Sequence, residues 1–508
     1  MKLLSVALPA HDANAAVYDG QRVRYVKFER TRQQKRFHFD SPAGWRRETE
    51  QLFGIDVDEF DEVAFSFDPS ALPPPVARRL TPESLARLAS GRSLAEPLDP
   101  VVCAFLRVRS GWLLSHHFCH ALSGWMCEAQ PAELRIIIDG LGDGRPWSVY
   151  RGEKAVAIGD IRRGSIGWGI REAGKLLGVQ AGHFNDIAGK VMGLQSHGQV
   201  DSGYLARLRQ LGIERIGEIW SIEGWTRWRG DPLIARLTLL DWVATVHERT
   251  AELLIEFFGA HARPDEPITY SGGVAQNVLW NARLRERFPG LMVAPHCSDE
   301  GLSLGGLDWL RRRHQLPVLE MPGFPYAQHD VGVAAPTEAT LDLAARLLAD
   351  GRVIGWYQGQ GEIGPRALGN RSILIDPRLP DARARIDRIK NREPYRPYGA
   401  SVLAERFGAH FSGVADPFML YACRVTDPSL AAVTHRDGSS RVQTVDGRNP
   451  VFRALLERFD ALTGCPVLLN TSLNVAGKPL AARPEDAAQL FFDSPIDAVF
   501  VGDDLYRK

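Results

Sequence analysis

Three histidines within five residues, His116, His117 and His120, are the side chains of this sequence best equipped for chemistry. On a helix, positions four apart share a face, so His116 and His120 can converge on one cation while His117 points elsewhere. Imidazole suits Zn, Fe, Ni and similar metals, held at about 2.0–2.2 Å. Two histidines make only half a site. Two carboxylates are placed to complete it, because Asp139 ends the apolar run ELRIIIDG and Asp299 opens the segment SDEGLSLGG. Strand ends are where open α/β sheets present functional side chains. Two imidazoles with carboxylates suit a metal that keeps positions open for a ligand. Spacing does not establish convergence, and packed core histidines are the competing reading, the simpler one for His117.

Two glycine-rich turns form a second constellation. Asp139-Gly-Leu-Gly-Asp-Gly144 follows one strand, and Ser271-Gly-Gly-Val-Ala-Gln-Asn277 follows another and opens a helix. Backbone N–H groups at such turns can cradle phosphate oxygens. Neither turn is a Walker A or GxGxxG motif, and tight turns need glycine for steric reasons alone. With His11-Asp12 just before an N-terminal hairpin, the two turns suggest a phosphate-clamping, ATPase-type fold. A third constellation lies between residues 351 and 400, where ten Lys/Arg face five Asp/Glu. Nine of the ten are Arg, including Arg366, Arg371 and Arg396, and the tenth is Lys390. Arginine binds phosphate and carboxylate in bidentate fashion, so this enrichment suits anionic small substrates. Arg383, Arg385 and Arg388 read as surface decoration, and Arg30, Arg32, Lys35 and Arg36 as a solvated basic face.

Positioning these groups requires more than one core. The chain has 508 residues and 56.3 kDa, enough for two or three domains. Apolar residues make up 44%, and Lys+Arg balance Asp+Glu at 61 each, so no global footprint for nucleic acid exists. Mean hydropathy is −0.18 and no apolar run approaches the ~20 residues that span a bilayer. The six cysteines form no CxxC pair, which excludes zinc ribbons and thioredoxin-like motifs and suits reduced thiols in a cytoplasmic protein. The N-terminal LLSVALPA is short for a secretory leader and reads as a retained strand. Asp19-Gly20 marks a hairpin, Arg151-Gly152 another, and Ser115 an N-cap for the helix through the histidines. A long helix is expected over Ile234–Phe258, and the helix after Asp299 carries Gly301, Gly305 and Gly306 for close packing. The proline-containing stretch 315–335 marks a boundary between 1–325 and 326–508. Beyond it, VIGWYQ, SILIDP, PVLLN and AVFVGD read as buried strands of a second α/β domain. No internal repeat is visible.

At these residues the chain resembles the NodU/CmcH family of O-carbamoyltransferases. The matching phrases are HDANAAVYDG, HHFCHA, IIIDGLGDG, AGKVMGL, SGGVAQN, SDEGLSLGG, GEIGPRALGNRSILIDPR, KNREPYRPYGASVLAE, RVQTV and LLNTSLNVAGKPL. They leave roughly residues 31–100 and 200–265 without a clear match. The resemblance implies an α/β, two-domain protein, with an N-terminal domain of the actin/Hsp70/sugar-kinase type and a YrdC-like C-terminal domain. It implies a two-step reaction. The second domain joins carbamoyl phosphate and ATP, with Mg2+, into carbamoyl adenylate and releases pyrophosphate. The first passes the carbamoyl group to a hydroxyl of an acceptor and releases AMP. The family's metal ligands, for Fe(II) or another divalent ion, map to His116, His120, Asp139 and Asp299. Asp12, Lys190, Ser271, Gly272, Gly273 and Asn277 map to nucleotide contacts. Lys390, Arg396, Arg441 and Ser472, with Arg366 and Asn470, map to carbamoyl-phosphate and ATP contacts.

One departure bears on the acceptor: after GKVMGL the family continues Ala-Pro-Tyr-Gly, whereas this chain has Gln195-Ser196-His197-Gly198. Variable loops tend to set specificity. A small hydroxylated metabolite, as in antibiotic biosynthesis, is the expected acceptor, with no nucleic acid and no membrane, and with a homodimer open to the chain. His117 is a candidate base for the acceptor hydroxyl, against the simpler reading that it orients a ligand or packs. Threonylcarbamoyl-type transfer to tRNA is the nearest rival, and a non-catalytic nucleotide-binding regulator of the same fold is another. Hydrogenase-maturation chemistry lacks its cysteine pairs here.

Overall fold

The computed structural model describes residues 1–69, 72–128, 131–220, 230, 232–475 and 477–508. They divide into two compact units, Met1–Phe28 with Arg36–Pro322, and Glu29–Lys35 with Gly323–Lys508. The division at Pro322 falls inside the proline-containing stretch, but the transfer of Glu29–Lys35 to the second unit has no signal in composition. Arg30 explains it: its guanidinium is buried and donates to the carbonyls of Glu362 (3.1 Å) and Gly364 (2.8 Å). The reading of residues 30–36 as a solvated face is therefore corrected. Of its cations, Arg30 is buried and Arg36 is half-buried, ion-paired to Asp12 and Asp186.

In the first unit, β1 (Leu3–Leu8), β2 (Asn14–Tyr18) and β3 (Val23–Lys27) form an antiparallel meander. On the other side of β1, β4 (Glu62–Phe67) and β6 (Trp112–Leu114) add in parallel, and β5 (Ala95–Pro97) closes the edge antiparallel. The strand order is β3-β2-β1-β4-β6-β5. A second sheet repeats the plan. Strands β7 (Leu134–Gly142), β8 (Arg145–Arg151) and β9 (Lys154–Ile158) form a meander, and β10 (Ile268–Ser271) and β11 (Leu291–Val293) add to β7 in parallel. No repeat is legible in the sequence, so the duplication is one of topology. It fits the actin/Hsp70/sugar-kinase plan that the resemblance implies.

Local physics explains where the elements differ from their expected bounds. Strands β2 and β3 meet at Tyr18 and Val23, so their loop runs over Asp19–Arg22, longer than a two-residue turn; the Asp19 carboxylate accepts from the N–H of Gln21 and Arg22. Helix α1 (His116–Leu122) follows Ser115, but Ser115 is no capping acceptor. Its hydroxyl donates to Asp143 (2.7 Å), and that carboxylate also takes the His117 N–H. Between them, α2 (Ile166–Leu176) and then the long helix α3 (Leu239–His261) complete the middle of the unit. The start of α3 is later than expected because Thr238 and Asp241 form a capping box. Likewise α4 (Val278–Arg287) starts after Asn277, whose Oδ1 accepts from Leu279 and Trp280.

Helix α5 (Leu302–Arg313) packs closely at the expected small residues: a Cβ on Gly305 would overlap the Cys119 carbonyl oxygen of α1, and one on Gly306 the Ser5 hydroxyl of β1. In the second unit one mixed nine-stranded sheet carries the core. From one edge its strands are Phe411–Ser412, Ala422–Val425, Ser439–Val445, Gly399–Leu403, Val467–Ser472, Arg371–Ile375, Ile354–Tyr357, Ala498–Val501 and Asp504–Arg507. Buried Val, Ile, Leu and Phe from these strands pack under the amphipathic helices Glu338–Ala349 and Pro450–Thr463.

The crossing yields a first prediction. Gly305→Ala forces α5 off α1 and costs about 3 kcal/mol, the upper part of the overpacking range. Gly189→Ala, in the helix Ile187–Leu194 with nothing within 4 Å of the new methyl, is neutral or stabilises by up to about 1 kcal/mol through helix propensity. Urea midpoints of the two variants check the contrast; equal midpoints would contradict it.

Candidate functional site

The two repeated sheets bring the sequence-nominated ligands to one point. His116 and His120 stand on α1, directly after β6. Asp299 stands at the corresponding place of the second repeat, between β11 and α5. Asp139 lies in a bulge of β7 between Ile138 and Gly142. One ligand atom from each lies within 4.8 Å of the others. The Nε2 atoms of His116 and His120 are 3.1 Å apart. His116 Nε2 is 3.3 Å from Asp139 and 3.6 Å from Asp299, and His120 Nε2 is 3.4 Å from Asp299. Two imidazole nitrogens turned toward each other between two carboxylates make a poor hydrogen-bond network and a good cation cage. A divalent ion fits this mixed N/O donor set.

Neighbouring groups hold the cage in place. Asp139 accepts the Gly273 N–H (3.0 Å), and the Ser271 hydroxyl donates to the His120 carbonyl (2.9 Å). Asn14 donates to the Asp299 carbonyl (2.9 Å) and accepts the Ser303 N–H (3.1 Å). Gly272 has φ +96°, and a Cβ there would overlap the Ile138 carbonyl, so the turn requires glycine. Burial opposes ionisation, yet Asp299 and Asp139 raise His116 to about 9. Burial also works against the Asp139 carboxylate, but His116 and His120 hold it well below the usual range.

Of the other candidates in this unit, the structure engages most within the protein. Asp12 adopts φ 62°, a costly conformation for Asp. Its carboxylate meets Lys27 (2.9 Å), Arg36 (2.7 Å) and His11 (2.8 Å). Asn277 caps α4 and its amide meets His247 Nε2 (3.1 Å). Lys190 is buried and donates to the Gln180 carbonyl. His117 is fully buried, with Nδ1 2.7 Å from the Ser148 hydroxyl, and burial holds its basicity well below normal. This environment favours a packing or orienting role over that of an acceptor base. Sequence reasoning undervalued His11, whose Nδ1 lies 3.6 Å from Asp299 and whose ring is 22% exposed. Its only signal was its place beside Asp12.

In the second unit, Lys390 ends the helix Ala382–Lys390 and points back at the strand Val467–Ser472. Its amine donates to the Ser472 carbonyl (2.6 Å) and hydroxyl (3.1 Å), and to the Asn474 carbonyl (3.0 Å) and side-chain oxygen. Among the described residues no carboxylate is paired with it. Burial, then Arg392, Lys35 and Arg396, push Lys390 well below the usual lysine value. Burial and then Arg366, Arg392 and Arg396 do the same to Arg441, whose Nε has no partner among the described residues. Arg392, the first Arg of the KNREPYRP phrase but not singled out in it, falls to about 10 through burial and Arg396. Asn470 bonds Ser401 (2.9 Å) and Ala367 (3.2 Å) below this cluster. Arg371 is corrected: it is fully buried, paired with Asp330 at 3.2 Å and stacked 3.6 Å over the Tyr357 ring, so it serves the core.

Glu393, 3.6 Å from Arg396, is the one carboxylate paired to this group among the described residues, and crowded cations short of negative charge suit an anion. In phosphate-free buffer the native state binds the Lys390 proton less tightly than the unfolded chain does. Its stability therefore falls as pH drops through the depressed native value. Phosphate or pyrophosphate reverses this, so each raises the thermal midpoint more at pH 7 than at pH 9, and Lys390→Met removes most of the gain. Melting curves at matched ionic strength check it; equal gains at both pH values would contradict it.

Comparison with known proteins agrees with the geometry. Residues 345–508 match the family model described as Carbamoyltransferase C-terminus. The nodulation protein NolO of Bradyrhizobium diazoefficiens is 30% identical over 449 residues, covering 78% of this chain and 79% of NolO. The nodulation protein NolNO of Sinorhizobium fredii is 32% identical, over 78% of this chain and 64% of its own length. The 3'-hydroxymethylcephem-O-carbamoyltransferase of Amycolatopsis lactamdurans is 38% identical over 281 residues, about half of each chain (51% and 52%). With a relative matched at this identity over most of both chains, and with two independent clusters built from the motif residues, the chain belongs to the NodU/CmcH carbamoyltransferase family.

Proposed function

We propose that this protein is an ATP-dependent O-carbamoyltransferase acting on a hydroxyl of a small metabolite. The observation that supports the reading is the crowding of Lys390, Arg392, Arg396 and Arg441, in which Lys390 donates only to neutral oxygens of Ser472 and Asn474. Among the described residues Arg441 Nε has no hydrogen-bond partner, and the one carboxylate paired to the group is Glu393, 3.6 Å from Arg396. In the first step, assigned to the YrdC-like residues 326–508, water releases phosphate from carbamoyl phosphate. A carbamate oxygen then attacks the α-phosphorus of Mg2+-bound ATP, and pyrophosphate leaves. The cations neutralise the phosphates and stabilise charge developing at the α-phosphorus.

In the second step, assigned to residues 1–325, the acceptor hydroxyl oxygen attacks the carbamoyl carbon, its proton passes to water, and AMP leaves with the electrons of the C–O bond. His116, His120, Asp139 and Asp299 would hold Fe(II) or another divalent ion, which supplies Lewis-acid polarisation. The Gly273 N–H fixes the Asp139 carboxylate, and Asn14 fixes the turn that carries Asp299. Six free cysteines support a reducing, cytoplasmic setting. Among the described residues no helix is long and apolar enough to cross a membrane. Relatives named for cephem O-carbamoylation support a secondary-metabolite acceptor.

The two steps separate by mutation. Lys390→Ala and Arg396→Ala lower pyrophosphate release from ATP and carbamoyl phosphate by about 100-fold or more, the range for removing one transition-state donor. His116→Ala and His120→Ala lose bound metal and transfer but keep most pyrophosphate release. Equal loss of both activities in folded variants would refute the division. A panel of hydroxylated metabolites set beside bulk tRNA tests the acceptor: labelled carbamoyl appears in the former, and incorporation into tRNA alone would overturn the reading.

A further inference from the structure

Beside the metal ligands lies a surface that the proposed chemistry does not use. Helix α2 starts at Ser165, whose hydroxyl donates to the carbonyls of Asp139 (3.2 Å) and Gly140 (2.7 Å), so α2 is fastened to the strand end carrying a metal ligand. Gly167 packs against the same place, its hypothetical Cβ 2.9 Å from the Gly140 Cα. One turn on, the Arg171 guanidinium lies 3.6 Å from the Trp168 ring centroid and 4.8 Å from that of Phe184. Both aromatics are exposed, Trp168 by 47% and Phe184 by 43%. Phe184 in turn lies against His11, with ring centroids 6.4 Å apart, and His11 is 3.6 Å from Asp299. The platform therefore leads to the metal ligands without a break.

The charge on this platform is only partly answered. Arg171 Nε has no hydrogen-bond partner among the described residues. Its one ion pair among them is to Glu172 at 3.7 Å, and Glu172 holds Lys175 at 2.7 Å. A guanidinium flanked by aromatic faces recognises a carboxylate by its free edge, while the rings take a planar apolar body. Solvent-exposed aromatic surface is costly for a soluble protein and marks a binding site when clustered.

Resting on the carbamoyl-transfer reading, we propose that Trp168, Arg171 and Phe184 form the acceptor platform, and that the acceptor is a hydroxylated compound with a planar apolar body and an anionic group. Acceptors that are polycations or neutral polyols do not complement it. The specificity lies in this patch, because the metal ligands contact only the reacting end.

Matched probes test the assignment with the metal-loaded full-length protein. Dissociation constants of 4-(hydroxymethyl)benzoate and 4-(hydroxymethyl)benzylamine are measured by ligand-observed NMR. The benzoate binds wild type at least about ten-fold more tightly. Arg171→Met erases that preference, and Trp168→Ala weakens the benzoate. No binding, equal binding of the two probes, or a preference untouched by Arg171→Met overturns the proposal. Loss of AMP binding in Trp168→Ala would assign the platform to the nucleotide and overturn it too. Pyrophosphate release by the wild type is measured in parallel. Its absence would bring down the two-step reaction while leaving the probe result to stand or fall alone.

Discussion

The close crossing of α1 and α5 is the constraint on which the cluster of His116, His120, Asp139 and Asp299 depends. At Gly305 the α5 backbone meets the Cys119 carbonyl with no space for a methyl group. That contact sets the distance between the helix bearing His116 and His120 and the turn bearing Asp299. Liganding atoms need placement within a few tenths of an ångström, and side-chain packing alone is softer than backbone against backbone. Ser271 and Asn14 then fasten the two ends, the first through the His120 carbonyl and the second through the Asp299 carbonyl.

The duplicated sheet topology explains why these groups meet. In each repeat the parallel strands end on the same side, and His116 and Asp299 occupy equivalent strand-to-helix turns. The loops after β1 and along β7 contribute Asp12 and Asp139 in the same paired way. A pair of facing strand-end surfaces gives four places from which side chains can converge, which an open single sheet would not.

The two candidate sites differ in how they hold charge. In the first unit the buried charges beside the histidine–aspartate cluster are paired: Asp12 has Lys27 and Arg36, and Lys27 also has Glu300 at 3.0 Å. Burial there is offset internally, which suits a permanent ligand cage. In the second unit Lys390 and Arg441 are crowded by Arg366, Arg392 and Arg396, and Lys390 donates only to neutral oxygens, so this cluster is short of negative charge. That difference suits the proposed cation in the first case and the proposed phosphate substrate in the second.

Much of this was legible from the amino-acid order, because local rules govern it. Helical spacing of His116 and His120, glycine at the turn Gly272-Gly273, and arginine enrichment around Lys390 are all statements about neighbours along the chain. What resisted reading depended on partners distant in sequence. Arg30 reads as a surface cation and Arg371 as an anion contact until Glu362, Gly364 and Asp330 are seen to accept from them. Arg392 joins the anion site, and His11 the metal centre, only through folding. The repeated topology left no repeat in residue identity, since many side chains fill the same β-sheet positions. Helix bounds such as the start of α3 were set by a capping box that competes with apolar periodicity. The sequence determined which residue types were available for cation and anion binding. Only tertiary structure decided which of them are neutralised by a partner and which remain free to bind, because charge compensation is a matter of distance in space.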